Sequence, residues 1–253
     1  KTEIIYNVEK IEPEAEEETA PDYPVTLFVS KDGYLKKITA QSLRMSGEQK
    51  FKEGDSLSFS VETTNSAELL VFTDQFQCYK TRLSDFADGK ASQLGDYLPQ
   101  KLGLETGESI LQVLLPGDYK GNVLFFYENG KAAKVPLFAY ETKTNRKKLT
   151  GAFSDKSPLV AAMALQADEQ VAVYTTDNRC VIFSTAQLLP KTTRNTQGVS
   201  VVSLKKKATV SGAVLLGASG IVNVSRYRTR TIPAAGALLK EEDSLEKQQS
   251  FEV

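Results

Sequence analysis

Histidine and tryptophan are both absent from the 253 residues, and cysteine and methionine occur only twice each. Without histidine the chain has no Ser-His-Asp or Cys-His nucleophile, and it lacks the commonest metal ligand. Two cysteines alone cannot build an ordinary structural zinc site. Cys78 and Cys180 both lie in apolar, strand-like runs, and so sparse a pair reads as buried reduced thiols rather than a disulfide framework. No apolar run approaches the ~20 residues that a membrane-spanning helix needs. The opening KTEIIYNVEK lacks the basic-then-apolar pattern of a signal peptide. It also opens without Met, so a piece of a longer chain is expected. Acidic residues are plentiful, but no cluster of them is enclosed by apolar sequence. Catalysis within this stretch is therefore not expected.

Charge is unevenly placed. Residues 1–21 carry 2 basic and 7 acidic residues, residues 22–230 carry 27 and 20, and residues 231–253 carry 2 and 5. A body of net +7 thus lies between ends of −5 and −3, an asymmetry that suggests a polyanionic partner. Residues 1–21 read as an acidic linker, punctuated by proline and with little to bury. Residues 22–233 form the expected domain. Residues 234–253 are expected as a docked peptide running into a frayed tail.

The body repeats itself. An apolar strand, a polar turn and a second, often basic strand recur as LFVSKDGYLKKITAQSL, LVFTDQFQCYKTRLSDF, LFFYENGKAAKVPLFAY and AVYTTDNRCVIFSTAQL. The turn residues Gly33, Phe76, Gly130 and Asn178 align at spacings of 43, 54 and 48. A weaker fifth copy is read in VLLGASGIVNVSRYR, around Gly220. Each copy predicts a hairpin, with two further strands before the next. No long segment keeps the apolar stripe of a helix. Four strands per 40–50 residues predict a propeller-like array whose units bury their faces against one another. WD40 and kelch propellers are alternatives of similar period, but no Gly-His or Trp-Asp signature is present and the chain has no Trp.

The segments VTLFVSKDGYLKKI (25–38), ELLVFTDQFQCYKTRLSDF (68–86), PKTTRNTQGVSVVSLK (190–205) and RYRTRTIPAAGALLKEED (226–243) are specific. Together they resemble the C-terminal domain found in the A subunits of bacterial type IIA topoisomerases, the family of DNA gyrase and topoisomerase IV. The preceding KTEII with its acidic linker resembles the join to the catalytic core in that family. The resemblance spans about 22–243. It implies an all-β fold, a β-pinwheel of four to five four-stranded blades that exchange strands, with duplex DNA bent round a basic rim. It implies no cofactor within this chain; the parent enzyme would use ATP and Mg through other domains. The implied partners are double-stranded DNA, the ATPase B subunit, and the catalytic core that belongs to the same polypeptide, in the bacterial cytoplasm and at the nucleoid. Gyrases of this family carry a Gln-Arg-Arg-Gly-Gly-Lys-Gly box in the first blade. QSLRMSGEQK (41–50) stands there instead, which implies a topoisomerase IV-like protein or a gyrase with a degenerate box.

Sequence-independent DNA binding rests on lysine and arginine neutralising phosphates. The candidates are Lys36 and Lys37 after the first turn, with Lys80 and Arg82 as their repeat equivalents; Arg44, Lys50 and Lys52 around the degenerate box; Lys143, Arg146, Lys147 and Lys148 in KTNRKK; and Lys191 and Arg194 in PKTTRNTQG. Any one of these also fits a solvated surface charge. Tyr34, Phe76 and Tyr79 fit packing better than base stacking, because duplex DNA offers no free base face. Two other readings compete. A protein-binding propeller scaffold would show more neutral, aromatic loops. A glycosidase-type propeller would need paired carboxylates facing one pocket, and no repeat-linked pair is present.

Overall fold

The computed structural model describes residues 21–45, 47–142 and 147–243. The four aligned turns each close a hairpin. β1 (Pro24–Ser30) and β2 (Tyr34–Thr39) are followed by a short helix, α1 (Ala40–Met45), and by β3 (Leu57–Thr64). Next come β4 (Glu68–Thr73), β5 (Gln77–Arg82), β6 (Asp96–Tyr97), α2 (Leu98–Leu102) and β7 (Ile110–Leu114). The third hairpin is β8 (Asn122–Tyr127) and β9 (Lys131–Pro136), followed by β10 (Lys148–Thr150) and β11 (Leu159–Leu165). The fourth is β12 (Gln170–Thr175) and β13 (Arg179–Ser184), followed by β14 (Val199–Ser200), β15 (Val210–Leu215), α3 (Val224–Tyr227) and β16 (Ala237–Leu238).

These strands make four four-stranded sheets, ordered β3-β1-β2-β6, β10-β5-β4-β7, β11-β8-β9-β14 and β15-β12-β13-β16. Each blade thus has its hairpin in the middle. The hairpin's first strand pairs on its other side with a later strand, β3, β7, β11 or β15. In blades 1 to 3 the fourth strand arrives only after the chain has built the following hairpin, and in blade 4 it arrives after α3. This is strand exchange between neighbours, the β-pinwheel arrangement.

The hairpin turns are alike because the sequence supplies the same backbone element each time. The N–H groups of Gly33, Phe76, Gly130 and Asn178 donate to the carbonyls of Ser30, Thr73, Tyr127 and Thr175 at 3.0–3.1 Å. All four turn residues have positive φ, at 88°, 57°, 79° and 59°. That is a tight turn ended by one left-handed residue, which glycine and asparagine tolerate cheaply. Phe76 bears the steric cost of a side chain there, and its ring packs on Phe153 with centroids 5.5 Å apart.

The fifth repeat does not form a hairpin. Val210–Leu215 serves as the third strand of the fourth blade, and the chain then turns into α3. Gly220 keeps a positive φ of 63°, but only a short helix follows it. Residues 216–239 instead lie over the fourth blade, where Leu216, Ile221, Val224, Tyr227 and Leu239 pack on Ala172, Tyr174 and Ile182.

Apolar clusters fill the spaces between blades. Leu27, Leu69 and Val71 join blades 1 and 2. Phe72, Phe125 and Phe153 join blades 2 and 3, with ring centroids 5.4–6.2 Å apart. Phe126, Val171 and Phe183 join blades 3 and 4. Each such side chain contributes roughly 1.5–3 kcal/mol on burial, so the blades hold one another rather than standing alone. No hydrophobic cluster among the described residues joins blade 4 to blade 1. The third strands β7, β11 and β15 touch one another from blade to blade. They are therefore the inner edges, and the exchanged strands β6, β10, β14 and β16 lie on the perimeter.

Candidate nucleic-acid interface

A polyanion as large as a duplex can only meet exposed charge, so the perimeter decides which candidates qualify. The segments leading into the exchanged strands run along it in a repeated register. The N–H groups of Gly89, Lys191 and Thr229 donate to the carbonyls of Lys37, Lys134 and Ile182 at 2.7, 2.8 and 2.8 Å. Those acceptors stand four residues beyond the turns at Gly33, Gly130 and Asn178. Each segment then returns to the residues just after the turn, where Asp96 pairs with Leu35, Leu149 with Cys78, Val199 with Ala132 and Ala237 with Cys180. Three of these returns are made by glycine. A Cβ at Gly198, whose φ is 72°, would lie 1.9 Å from the Ala132 carbonyl oxygen. Gly95 and Gly236 make the same approach over Leu35 and Cys180. Sequence reading misses this spaced glycine, since it is visible only once the turns are aligned. In the second blade its register position holds Lys148.

The basic residues that directly follow the turns are not on this rim. Lys36 and Lys37 are each only 3% exposed. Lys36 Nζ donates to the Lys50 carbonyl at 2.9 Å and to the Ala91 carbonyl at 3.3 Å, and burial lowers its pKa. Lys37 Nζ donates to Asn65 Oδ1 at 2.5 Å and pairs with Asp88 at 3.1 Å. Both leave the set of phosphate-contacting candidates. Successive residues of a strand point to opposite faces, and these blades are covered on both faces, so adjacent lysines here cannot share an open surface. The long apolar stems explain how the position tolerates burial.

Lys37 belongs to a repeated structural device. Lys80 and Lys134 stand at the same place after their turns. Lys80 pairs with Glu68 at 3.0 Å and lies over the Tyr119 ring at 4.9 Å. Lys134 pairs with Asp168 at 2.5 Å and donates to the Thr185 carbonyl at 3.3 Å. Asn65, Tyr119 and Asp168 all precede the next hairpin, so each lysine clamps one blade to the segment that enters the following one. Burial opposes the Glu68 carboxylate, but the Tyr119 hydroxyl and Lys80 outweigh it and lower its pKa. Ile182 replaces the lysine in the fourth blade. Lys80 is thereby half-buried and engaged, and Arg82 is exposed beside Glu68 at 3.3 Å.

The remaining candidates sit outside. Arg44 on α1, Lys50, Lys52 and Lys147 are exposed. The degenerate box itself begins as helix α1, and Gly47 stands in open space. Lys143 and Arg146 lie outside the described residues. Lys148 is half-buried, pairs with Glu105 at 2.7 Å and lies over the Tyr79 ring at 5.4 Å. Lys191 is half-buried. Arg194 donates to the Ala139 carbonyl at 3.0 Å and stacks on Tyr140 at 5.9 Å. Thr192, Thr193, Arg194 and Asn195 face Thr150 and Gly151 across a polar groove of ≈ 480 Å³. The structure thus brings PKTTRN next to the end of the KTNRKK stretch, although 40 or more residues separate them in sequence.

Cys78 and Cys180 are free, fully buried and equivalent, each two residues past its turn and under an exchanged strand. Burial raises both thiols, Cys180 to about 12. No helix among the described residues is long and apolar enough to cross a membrane.

The sequence profile of the family described as "DNA gyrase C-terminal domain, beta-propeller" matches residues 26–59 and 175–216. These stretches hold the first hairpin with α1, and the second strand of the fourth hairpin with its perimeter segment. Over these residues the chain is similar to that family. Among curated relatives, the A subunit of DNA topoisomerase 4 from Staphylococcus aureus is 26% identical over 191 residues, which is 73% of this chain and 24% of that protein. The chain thus spans about a quarter of the length of the curated relatives it matches. The crystal structure of the C-terminal domain of DNA topoisomerase IV superposes with a TM-score of 0.67 at 22% identity, covering 79% of this chain and 63% of that one. The structure of the DNA gyrase A C-terminal domain gives 0.59 at 16% identity, covering 88% and 80%. At such identities the two structures speak for the pinwheel fold. Beside these relatives, this chain builds four blades, with its fifth repeat turned into a covering segment.

Proposed function

We propose that this chain is a non-catalytic domain that binds duplex DNA along its perimeter and bends it. Its parent would be the A subunit of an ATP-dependent type IIA topoisomerase, of the topoisomerase IV kind. The observation that carries this reading is the repeated perimeter segment, which sets Lys147, Lys191 and Arg194 at the edge of successive blades. Sequence-independent binding needs phosphate contacts spaced along a path, not one deep pocket. The topoisomerase IV assignment is supported by the relatives' name and by the box, where α1 and Glu48 replace paired glycines and basic residues. In the parent, the catalytic core of the same polypeptide, the ATPase B subunit, ATP and Mg would supply strand passage.

The test is a titration of random-sequence duplex against salt. Log affinity should fall linearly with log salt, at about −0.9 for each phosphate neutralised. Affinity independent of salt, or confined to one sequence, would overturn the proposal.

A further inference from the structure

We infer that Arg226, Arg228 and Arg230 extend the DNA-binding rim across the outer side of the fourth blade, where a fifth hairpin is missing. The inference rests on the proposed duplex binding and adds the stretch of chain where the DNA path continues.

The register makes the case. Thr229 takes the place of Gly89 and Lys191, because its N–H caps the carbonyl four residues past the turn. Gly236 takes the place of Gly95 and Gly198, and β16 that of β6 and β14. Residues 229–236 therefore span the same two anchor points as residues 191–198. The covering segment has lost the hairpin of a fifth blade but has kept the perimeter segment that follows one.

Its chemistry suits a phosphate backbone. Arg226, Arg228 and Arg230 are all exposed. Between Asn223 and Lys240 the sequence has no carboxylate. Of the acids that follow, Asp243 is buried and Glu242 is engaged with Asn223. Arg226 stacks on Tyr227 at 6.0 Å and donates Nε to the Leu238 carbonyl at 3.3 Å. Arg228 donates Nη2 to Gln170 at 2.9 Å. A guanidinium has five N–H donors, so these contacts orient Arg226 and Arg228 and leave most of their donors for phosphate oxygens. The backbone beneath is fixed, since the buried Tyr227 hydroxyl donates to Asp243 at 2.8 Å and accepts from the Lys240 N–H at 3.0 Å.

The test compares the whole 253-residue chain with two triple variants, Arg226/Arg228/Arg230→Gln and →Lys, in the same salt titration with random duplex. Thermal unfolding of each variant is followed alongside. The Gln variant should lower affinity and make the salt slope shallower by up to about 2.7, at 0.9 per phosphate, while the Lys variant keeps most of the slope. If loss of the Gln170 and Tyr227 contacts unfolds the Gln triple variant, Arg230→Gln alone decides, with an expected change of about 0.9. A folded Gln variant with the wild-type slope overturns this inference alone. A wild-type chain that does not bind duplex at low salt overturns the proposed function beneath it.

Discussion

Lys134, on the second strand of the third blade, meets Asp168, in the segment entering the fourth, at 2.5 Å. Lys134 is 5% exposed, while the Asp168 side chain is 45% exposed. The lysine is thus a clamp between blades rather than a surface charge, and it holds the Asp168 pKa below the usual carboxylate value. Lys134→Ala should cost about 1–3 kcal/mol, because the Thr185 carbonyl and Asp168 lose a donor and the stem leaves a gap. Urea unfolding measures the cost, and the salt slope for DNA should stay unchanged. A variant of unaltered stability with weakened DNA binding would make this lysine a DNA contact rather than a clamp.

The perimeter candidates should behave in the opposite way. Lys147→Ala and Lys191→Ala should each make the salt slope shallower by about 1 and weaken binding to all sequences alike. Stability should move by less than about 0.5 kcal/mol, as usual for surface substitutions. Duplex titration and urea unfolding of the two variants, set beside Lys37→Ala, separate rim from clamp.

Gly198 tests the strand exchange. With φ at 72° and a Cβ that would stand 1.9 Å from the Ala132 carbonyl oxygen, Gly198→Ala should cost more than about 1 kcal/mol. It should also release β14 from β9, seen as faster amide exchange at Val199. Gly47→Ala is the control, since nothing lies within 4 Å of it and its stability should change little.

Asp243 makes the covering segment dependent on pH. Its buried carboxylate accepts from Val222 N at 2.7 Å, from Tyr227 OH at 2.8 Å and from Asn223 Nδ2 at 3.1 Å. Burial pushes its pKa up, but these donors outweigh burial and leave it lowered. A folded pKa below the unfolded one adds stability that is complete above the unfolded value, about 3.9, and is lost as pH falls through the folded value. The segment should therefore loosen below about pH 4. Asp243→Asn should flatten that part of the stability–pH curve. An unchanged curve would show that other carboxylates carry the acid sensitivity.

The hairpins are legible in the sequence because their turns demand a left-handed residue, which marks Gly33, Gly130 and Asn178. Phe76 is found only by its place in the repeat. Lys36 and Lys37 mislead because a lysine in a strand looks the same whether its ammonium meets water or the acceptors of a covering loop. What decides is the covering of both sheet faces, a tertiary property. The fifth copy fails for a related reason. Gly220 supplies a turn, but Val222, Asn223 and Ser225 do not continue a strand, and burying Tyr227 against the fourth blade satisfies the segment instead. Arg226, Arg228 and Arg230 enter the sequence reading through the family resemblance and not as contacts, since their register appears only when the exchanged strands are in view.

The holoenzyme should relax and decatenate DNA without strong negative supercoiling. A complete wrap needs contacts along its whole path, because bending 20–30 bp by 40–90° costs on the order of 1–6 kcal/mol. Leu43, Met45 and Glu48 occupy the box, and Glu48, exposed, repels phosphate. Relaxed plasmid incubated with ATP and the reconstituted enzyme is the assay. Efficient negative supercoiling would mean that the altered box still directs a wrap.

The most direct measurement of the central claim is energy transfer between dyes at the two ends of a random duplex of roughly 30 bp, a length that can be bent at moderate cost. On titration with this domain at low salt the ends should approach, and added salt should reverse the change as phosphate contacts are lost. Binding that leaves the end-to-end distance unchanged would contradict the account, since the rim would then hold DNA without bending it.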